Sequence, residues 1–265
     1  MKDKFNFKKV TNPLELDSLK KDWRASLTAP QDGMWQSFMD NANQWVLLKE
    51  DQVIGYACVD SEGQLIQLFV LSAWRDIGTD LLNTFIRQEG IKKGMVGTNN
   101  PVFLSTALHF QESIVIDTYL FTEHVEVENI KKEGFLKEAN MQNLEELVDF
   151  CHFSLGAPKA WLEGYLQNLI ARKEVFILKN KKDIIGTCEV RNSDTDARIA
   201  DIGMIVSPLY RKSGYGTFLL GKAKEIAIRI GKTPICSCEK DNLGSLKSIH
   251  KNGFRSIHQL LAISF

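Results

Sequence analysis

The sequence predicts a mixed α/β protein made of two similar domains, each a central, mostly antiparallel sheet with helices on both faces. Three observations carry that prediction. Apolar hairpins with charged turns occur twice; amphipathic helical stripes accompany them; and matching features follow in the same order at a slowly drifting offset. Repetition in order is the strongest of the three, because hairpins alone resemble one another.

Taking the elements in turn, Val46 to Gly55 runs apolar, then polar, then apolar, and ends in glycine; Phe176 to Gly186 repeats the pattern. The terminal glycines lie 131 positions apart. Trp74-Arg75-x-x-Gly78 then resembles Tyr210-Arg211-x-x-Gly214 at an offset of 136, and Asn100 matches Asn242 at 142. Drift of this kind is what loop insertions produce. Ser113 to Phe121 alternates as a closing strand, and the polar stretch from Thr122 to Glu138 separates the halves. Beyond it Leu144, Leu147, Val148 and Cys151 mark the stripe of a new helix. The expected domains are therefore 1–123 and 124–265. A mixture of strands and helices in this order implies a sheet layered with helices.

Composition narrows the function. The 265 residues are 44% hydrophobic and 25% charged, an ordinary globular balance. Lysine plus arginine and aspartate plus glutamate both number 33, giving zero formal charge. A nucleic-acid binder gains its affinity from a basic excess that is missing here, so no nucleic-acid partner is expected. No apolar run reaches the roughly 18 residues of a membrane span, and the first residues hold no apolar signal core. A cytoplasmic protein without a membrane partner is the expectation. The five cysteines lack the Cys-x2-Cys spacing of zinc sites, so no metal is expected. Oligomeric state stays open.

The chemistry concentrates in Ile205 to Thr217. An apolar strand ends near Val206, where Pro208 prevents its continuation. Arg211-x-x-Gly214-x-Gly216 then turns into a helix whose apolar residues run from Leu219 to Ile230, with Gly231 as its stop. Backbone N–H groups at such a turn converge on one point, the helix dipole adds positive potential, and glycine removes the Cβ that would block a diphosphate. Arg211 and Lys212 add charge. The glycine spacing matches neither Gly-x-Gly-x-x-Gly nor a turn closed by Gly-Lys-Ser/Thr.

Val206-x-Pro-x-Tyr-Arg-x-x-Gly-x-Gly resembles the acetyl-CoA signature of the GNAT acetyltransferase superfamily. Asn242, Ser245 and Gly253-Phe254 are similar to that family's second signature. The resemblance is strong from about residue 125 onward and fainter before 123, where it rests on the repeat. It implies a GNAT fold in each half and direct transfer of acetyl from acetyl-CoA to a small-molecule or peptide amine. Main-chain groups of Met204, Ile205 and Val206 would pair with the pantetheine arm, as an added strand does. The N–H groups of Lys212, Ser213, Gly214, Tyr215, Gly216 and Thr217 would hold the pyrophosphate beside Arg211, and the side chains of Asn242 and Ser245 would touch the cofactor.

Transfer needs a base, an oxyanion donor and an acid for the thiolate. Asp201 and Glu189 are the candidate bases. Many family members place an acidic tyrosine seven residues after the asparagine; here that position is Ile249, which has no proton to give. Tyr215 and Tyr165 are the remaining candidates for the acid. The departure makes a non-catalytic acyl-CoA sensor or scaffold the alternative reading. In the first half Asp80 replaces the second glycine of the turn, Asp76 adds another carboxylate, and Pro101 follows Asn100. Each carboxylate within about 5 Å of a diphosphate would cost about 1 kcal/mol or more even in high dielectric. That half is expected to have lost the cofactor.

Overall fold

In the computed structural model of the chain, residues 5–128, 132, 134–181 and 183–265 are described. Within the expected polar junction, residues 129–131 and 133 lie outside that set, as does residue 182 of the second charged turn. By contacts the chain forms two compact units, Met1–Tyr119 with His258–Phe265, and Leu120–Ile257.

The first unit contains β1 (Phe5–Lys9), α1 (Asp17–Ser26), α2 (Gly33–Asn41), β2 (Asn43–Lys49), β3 (Gln52–Val59), β4 (Leu65–Val70), α3 (Gly78–Glu89), β5 (Lys93–Gly97) and α4 (Pro101–Ala107). Strand β6 (Ser113–His124) runs three residues beyond the expected closing strand. In the second unit lie β7 (Leu136–Glu138), α5 (Leu144–Leu155), α6 (Lys159–Ala171), β8 (Val175–Lys179), β9 (Ile184–Asn192), β10 (Ile199–Val206), α7 (Tyr215–Arg229), β11 (Thr233–Glu239) and α8 (Leu243–Lys251), and the chain ends with β12 (Phe254–Ser264).

The first sheet is ordered β1-β2-β3-β4-β5, with β12 antiparallel to β5 through Leu260↔Gly97 to Ser264↔Lys93. Residues 258–265, read from the sequence as part of the second half, thus cluster with the first. The second sheet is ordered β7-β8-β9-β10-β11. Each sheet is antiparallel until its β4–β5 or β10–β11 pair, which is parallel.

The repeat has a physical basis in the hairpins. Both carry a register shift at matching places, after Leu47 and after Leu178. The glycine that follows each shift lies against a neighbouring strand. A Cβ at Gly55 would stand 2.0 Å from the Phe69 carbonyl oxygen, and one at Gly186 would stand 2.5 Å from the Ile205 oxygen. Neither position admits a side chain without moving backbone, so both halves keep glycine there.

Helices cover the sheets as their apolar stripes require. Leu81, Leu82, Phe85 and Phe103 pack on one face of the first sheet, and Leu16, Leu19, Trp23 and Met39 on the other. In the second unit Leu147, Cys151, Leu162 and Leu166 cover the α5–α6 face. Helix α7 ends as the sequence predicts, with Gly231 left-handed at φ 76°. All five cysteines are buried and unbridged. Burial pushes the thiols of Cys58 and Cys151 up to about 12; Glu189 raises Cys151 further, while at Cys58 the Lys20 ammonium opposes the rise more than Asp40 adds to it.

Two expectations follow. Gly55→Ala and Gly186→Ala each lower the urea midpoint by the equivalent of about 1–3 kcal/mol, because the added methyl overpacks against backbone. A thiol reagent at pH 8 finds no fast-reacting cysteine in the folded protein and five after denaturation, since buried protonated thiols are poor nucleophiles.

Candidate active site

The site begins where β10 loses one of its two neighbours. On the β9 side it stays paired through Val206↔Gly186. On the β11 side pairing stops after Ile199↔Thr233, Ala200↔Pro234 and Asp201↔Ile235. Pro234 brings no N–H to this ladder. From Ile202 onward the backbone edge of β10 opens towards a cleft of about 770 Å³.

The turn that follows β10 forms the cleft's far wall. Lys212 and Gly214 are both left-handed, at φ 60° and 81°, and Gly214 caps α7. Two left-handed residues within three turn successive N–H groups to one side, which makes an anion-binding nest at a helix N-terminus. Arg211 does more than add charge. Its guanidinium donates to the Val206 oxygen at 3.3 Å and to the Ser154 oxygen at 2.8 Å, tying the turn to the end of α5. Arg211, Lys212, Lys247 and Lys251 all line the cleft, and among the described residues no aspartate or glutamate does.

Of the sequence-predicted cofactor residues, Met204, Ile205, Val206, Arg211, Lys212, Gly214, Gly216, Thr217, Asn242 and Ser245 come together on this cleft. Ser213 and Tyr215 are not on its lining; the Tyr215 ring packs edge-on to Tyr210 and lies under the Lys132 ammonium. The Asn242 side chain is already engaged within the fold, where its Oδ1 accepts from the Ser245 N–H at 3.1 Å and caps α8. Asn100 caps α4 in the same way, through the Phe103 N–H at 3.4 Å. Sequence reasoning missed Lys247 and Lys251, although their i, i+4 spacing puts both on one face of α8.

Glu189 and Asp201 sit on the α5–α6 face of the fork. Across the β9–β10 pair Glu189 lies opposite Gly203 and Arg191 opposite Asp201. Tyr165 donates to Glu189 at 2.7 Å, while Arg191 donates to both Glu189 at 2.8 Å and the Tyr165 oxygen at 3.0 Å. Burial, reinforced by Glu189, raises the Tyr165 hydroxyl above its ordinary range. Burial opposes the charge on Arg191, but Glu189, Tyr165 and Asp201 together hold its guanidinium firmly protonated. Tyr165 is therefore an anchor for Glu189 and a poor proton donor. Ile249 is buried, so the usual tyrosine position holds a core side chain.

The first unit keeps this architecture and closes it. Its β4–β5 pairing is limited to Leu65↔Gly94, so a fork exists. Counting three residues from the hairpin glycine places Cys58 where the second unit has Glu189, and Gln67 where it has Gly203. Gln67 is buried, and its Oε1 accepts from Asn100 Nδ2 at 3.2 Å. Ser72–Ile77 is a 3-10 segment leading directly into α3, with Gly78 at an ordinary helical φ of −57°. Among the described residues, none from 71 to 89 is left-handed.

Comparison with known proteins places this architecture. The acetyltransferase (GNAT) domain family matches residues 12–124, and the acetyltransferase (GNAT) family matches residues 141–254. The chain belongs to the GNAT acetyltransferases, in a tandem two-domain form. A GNAT-family acetyltransferase from Colwellia psychrerythraea is similar at 27% identity, with 98% of this chain and 99% of that chain covered and a TM-score of 0.92. A GCN5-related N-acetyltransferase from Sphaerobacter thermophilus shares the fold at 13% identity, 98% and 95% coverage and a TM-score of 0.70. So does a tandem GNAT protein from the clavulanic acid biosynthesis pathway, solved without AcCoA, at 13% identity, 99% and 98% coverage and a TM-score of 0.67. None of the curated proteins compared with the chain matches it. Family and neighbours support acyl transfer as the reaction class, with acetyl-CoA the donor expected for the family. No helix among the described residues is long and apolar enough to cross a membrane.

The cap assigns Asn242 a measurable role in stability. Asn242→Ala should lower unfolding free energy by about 1 kcal/mol, while Asn242→Asp, which keeps the accepting oxygen, should stay close to wild type in a chemical denaturation series.

Proposed function

We propose that the second unit binds acetyl-CoA in the forked cleft and transfers its acetyl group to an amine. The observation that carries this reading is the open edge of β10 running directly into a basic nest turn. An extended amide-bearing arm finds unpaired strand backbone at Met204, Ile205 and Val206, and its diphosphate finds N–H groups and Lys212 at the far end.

The chemistry then follows from the groups present. A primary amine begins protonated, near pKa ~10.4. Glu189 receives the ammonium, and Asp201, at the last pair before the fork, takes its proton through water. The nitrogen lone pair attacks the thioester carbonyl carbon while a β10 N–H near Ile205 steadies the oxyanion. The carbon–sulfur bond breaks, the amide remains with the acceptor, and the thiolate leaves. A thiol of pKa near ~8.5 is a tolerable leaving group, so solvent can supply its proton in place of the absent tyrosine.

The first unit, in this reading, is the degenerate half. Gln67 and Asn100 join across its fork, and its turn lacks the nest. Isothermal titration of acetyl-CoA should give one site per chain, abolished by Gly214→Glu, which adds a carboxylate at a left-handed position. Two sites would overturn the assignment of a degenerate half, and no binding would overturn the proposal. Binding without thiol release across an amine panel would favour the sensor reading.

A further inference from the structure

The proposed transfer leaves its acceptor unnamed, and the α5–α6 face of the second unit narrows the choice. Gly203 lies on β10, beside the cleft-lining Met204, and a Cβ built there meets no atom within 4 Å. Glu189, its cross-strand partner, faces the same side. A group entering over Gly203 therefore meets the Glu189 carboxylate, held in place by Tyr165 and Arg191. Asp201 adds a second carboxyl group to the Glu189–Arg191 pair in a mostly buried setting. An incoming ammonium would pair with the Glu189 carboxylate, and an incoming carboxylate would be repelled by it.

Moving outward, the Tyr165 ring stacks on Trp161 at 4.9 Å between centroids and 12° between planes. Trp161 is 54% exposed; on α5, Phe153 is 62% and Leu155 56% exposed. Leu155 also lines the cofactor cleft. Between Phe153 and Leu155, the Ser154 hydroxyl is buried and has no hydrogen-bond partner among the described residues. With one face on Tyr165 and more than half of its surface exposed, Trp161 presents an aromatic surface that a ligand would cover.

Resting on the transfer reaction proposed above, we infer that the acceptor is a primary amine with an aromatic body and no carboxylate, its ring on Trp161 and its ammonium at Glu189. The matched probes are 2-phenylethylamine, phenylalanine, which adds an α-carboxylate, and ethylamine, which lacks the ring. With the full chain and acetyl-CoA, kcat/KM from thiol release should be at least tenfold higher for 2-phenylethylamine than for either of the others. Trp161→Ala should bring the ratio of 2-phenylethylamine to ethylamine within threefold of one, and Trp161→Phe should restore most of it. Phenylalanine used as well as 2-phenylethylamine would overturn the inference, as would a ratio untouched by Trp161→Ala. Acetyl-CoA binding with none of the three amines acetylated would overturn it too, while leaving the cofactor site intact. Failure to bind acetyl-CoA at all would instead remove the transfer reading on which it rests.

Discussion

The second unit's site depends on unequal pairing of a single strand. Strand β10 is held by β9 along seven residue pairs but by β11 along only three. A buried strand edge normally must find partners for its N–H and C=O groups, because leaving them without any costs about as much as a lost hydrogen bond. Here the edge faces a cleft, where water or a ligand can serve. The fork thus leaves a polar strand edge facing the cleft. The same divergence opens the cleft and sets Asp201 at its apex.

The two halves show how little is needed to close such a fork. Both retain the glycine against the neighbouring strand, the register shift before it, and the asparagine that caps the helix after the fork. At the equivalent position, however, Gln67 replaces an empty Gly203, and its amide bonds to Asn100. The Gln67 and Asn100 amides satisfy one another there, where the other half has no side chain at Gly203. The fold tolerates either solution because its strands and helices pack the same way in both.

Charge is distributed in the second unit with similar economy. The cleft wall is lined by lysines and an arginine, with no acid among its described residues. The carboxylates collect instead on the α5–α6 face, around Glu189 and Asp201. A phosphate-bearing donor and a cationic acceptor would each be drawn to its own end, and β10 lies at the junction of the two fields. Zero net charge for the chain conceals this separation, because a total says nothing about where the signs are placed.

The repeat, the layered mixed fold, the glycine turn and most of the residues on the cleft were legible in the amino-acid order alone. Those features are local: hairpin turns, helical stripes and strand-to-turn-to-helix order are written within a dozen residues. That residues 258–265 join the first unit emerged from the folded chain, since an apolar strand does not declare which edge it will pair with. The same holds for Lys247 and Lys251, whose lining of the cleft depends on how α8 docks. Packing also settled that Tyr165 holds Glu189, that Gln67 reaches Asn100 across 33 positions of chain, and that Trp161 stays exposed when a tryptophan is ordinarily core. Each of these depends on how distant segments meet, fixed by packing and register and by no pattern that a short window of sequence contains.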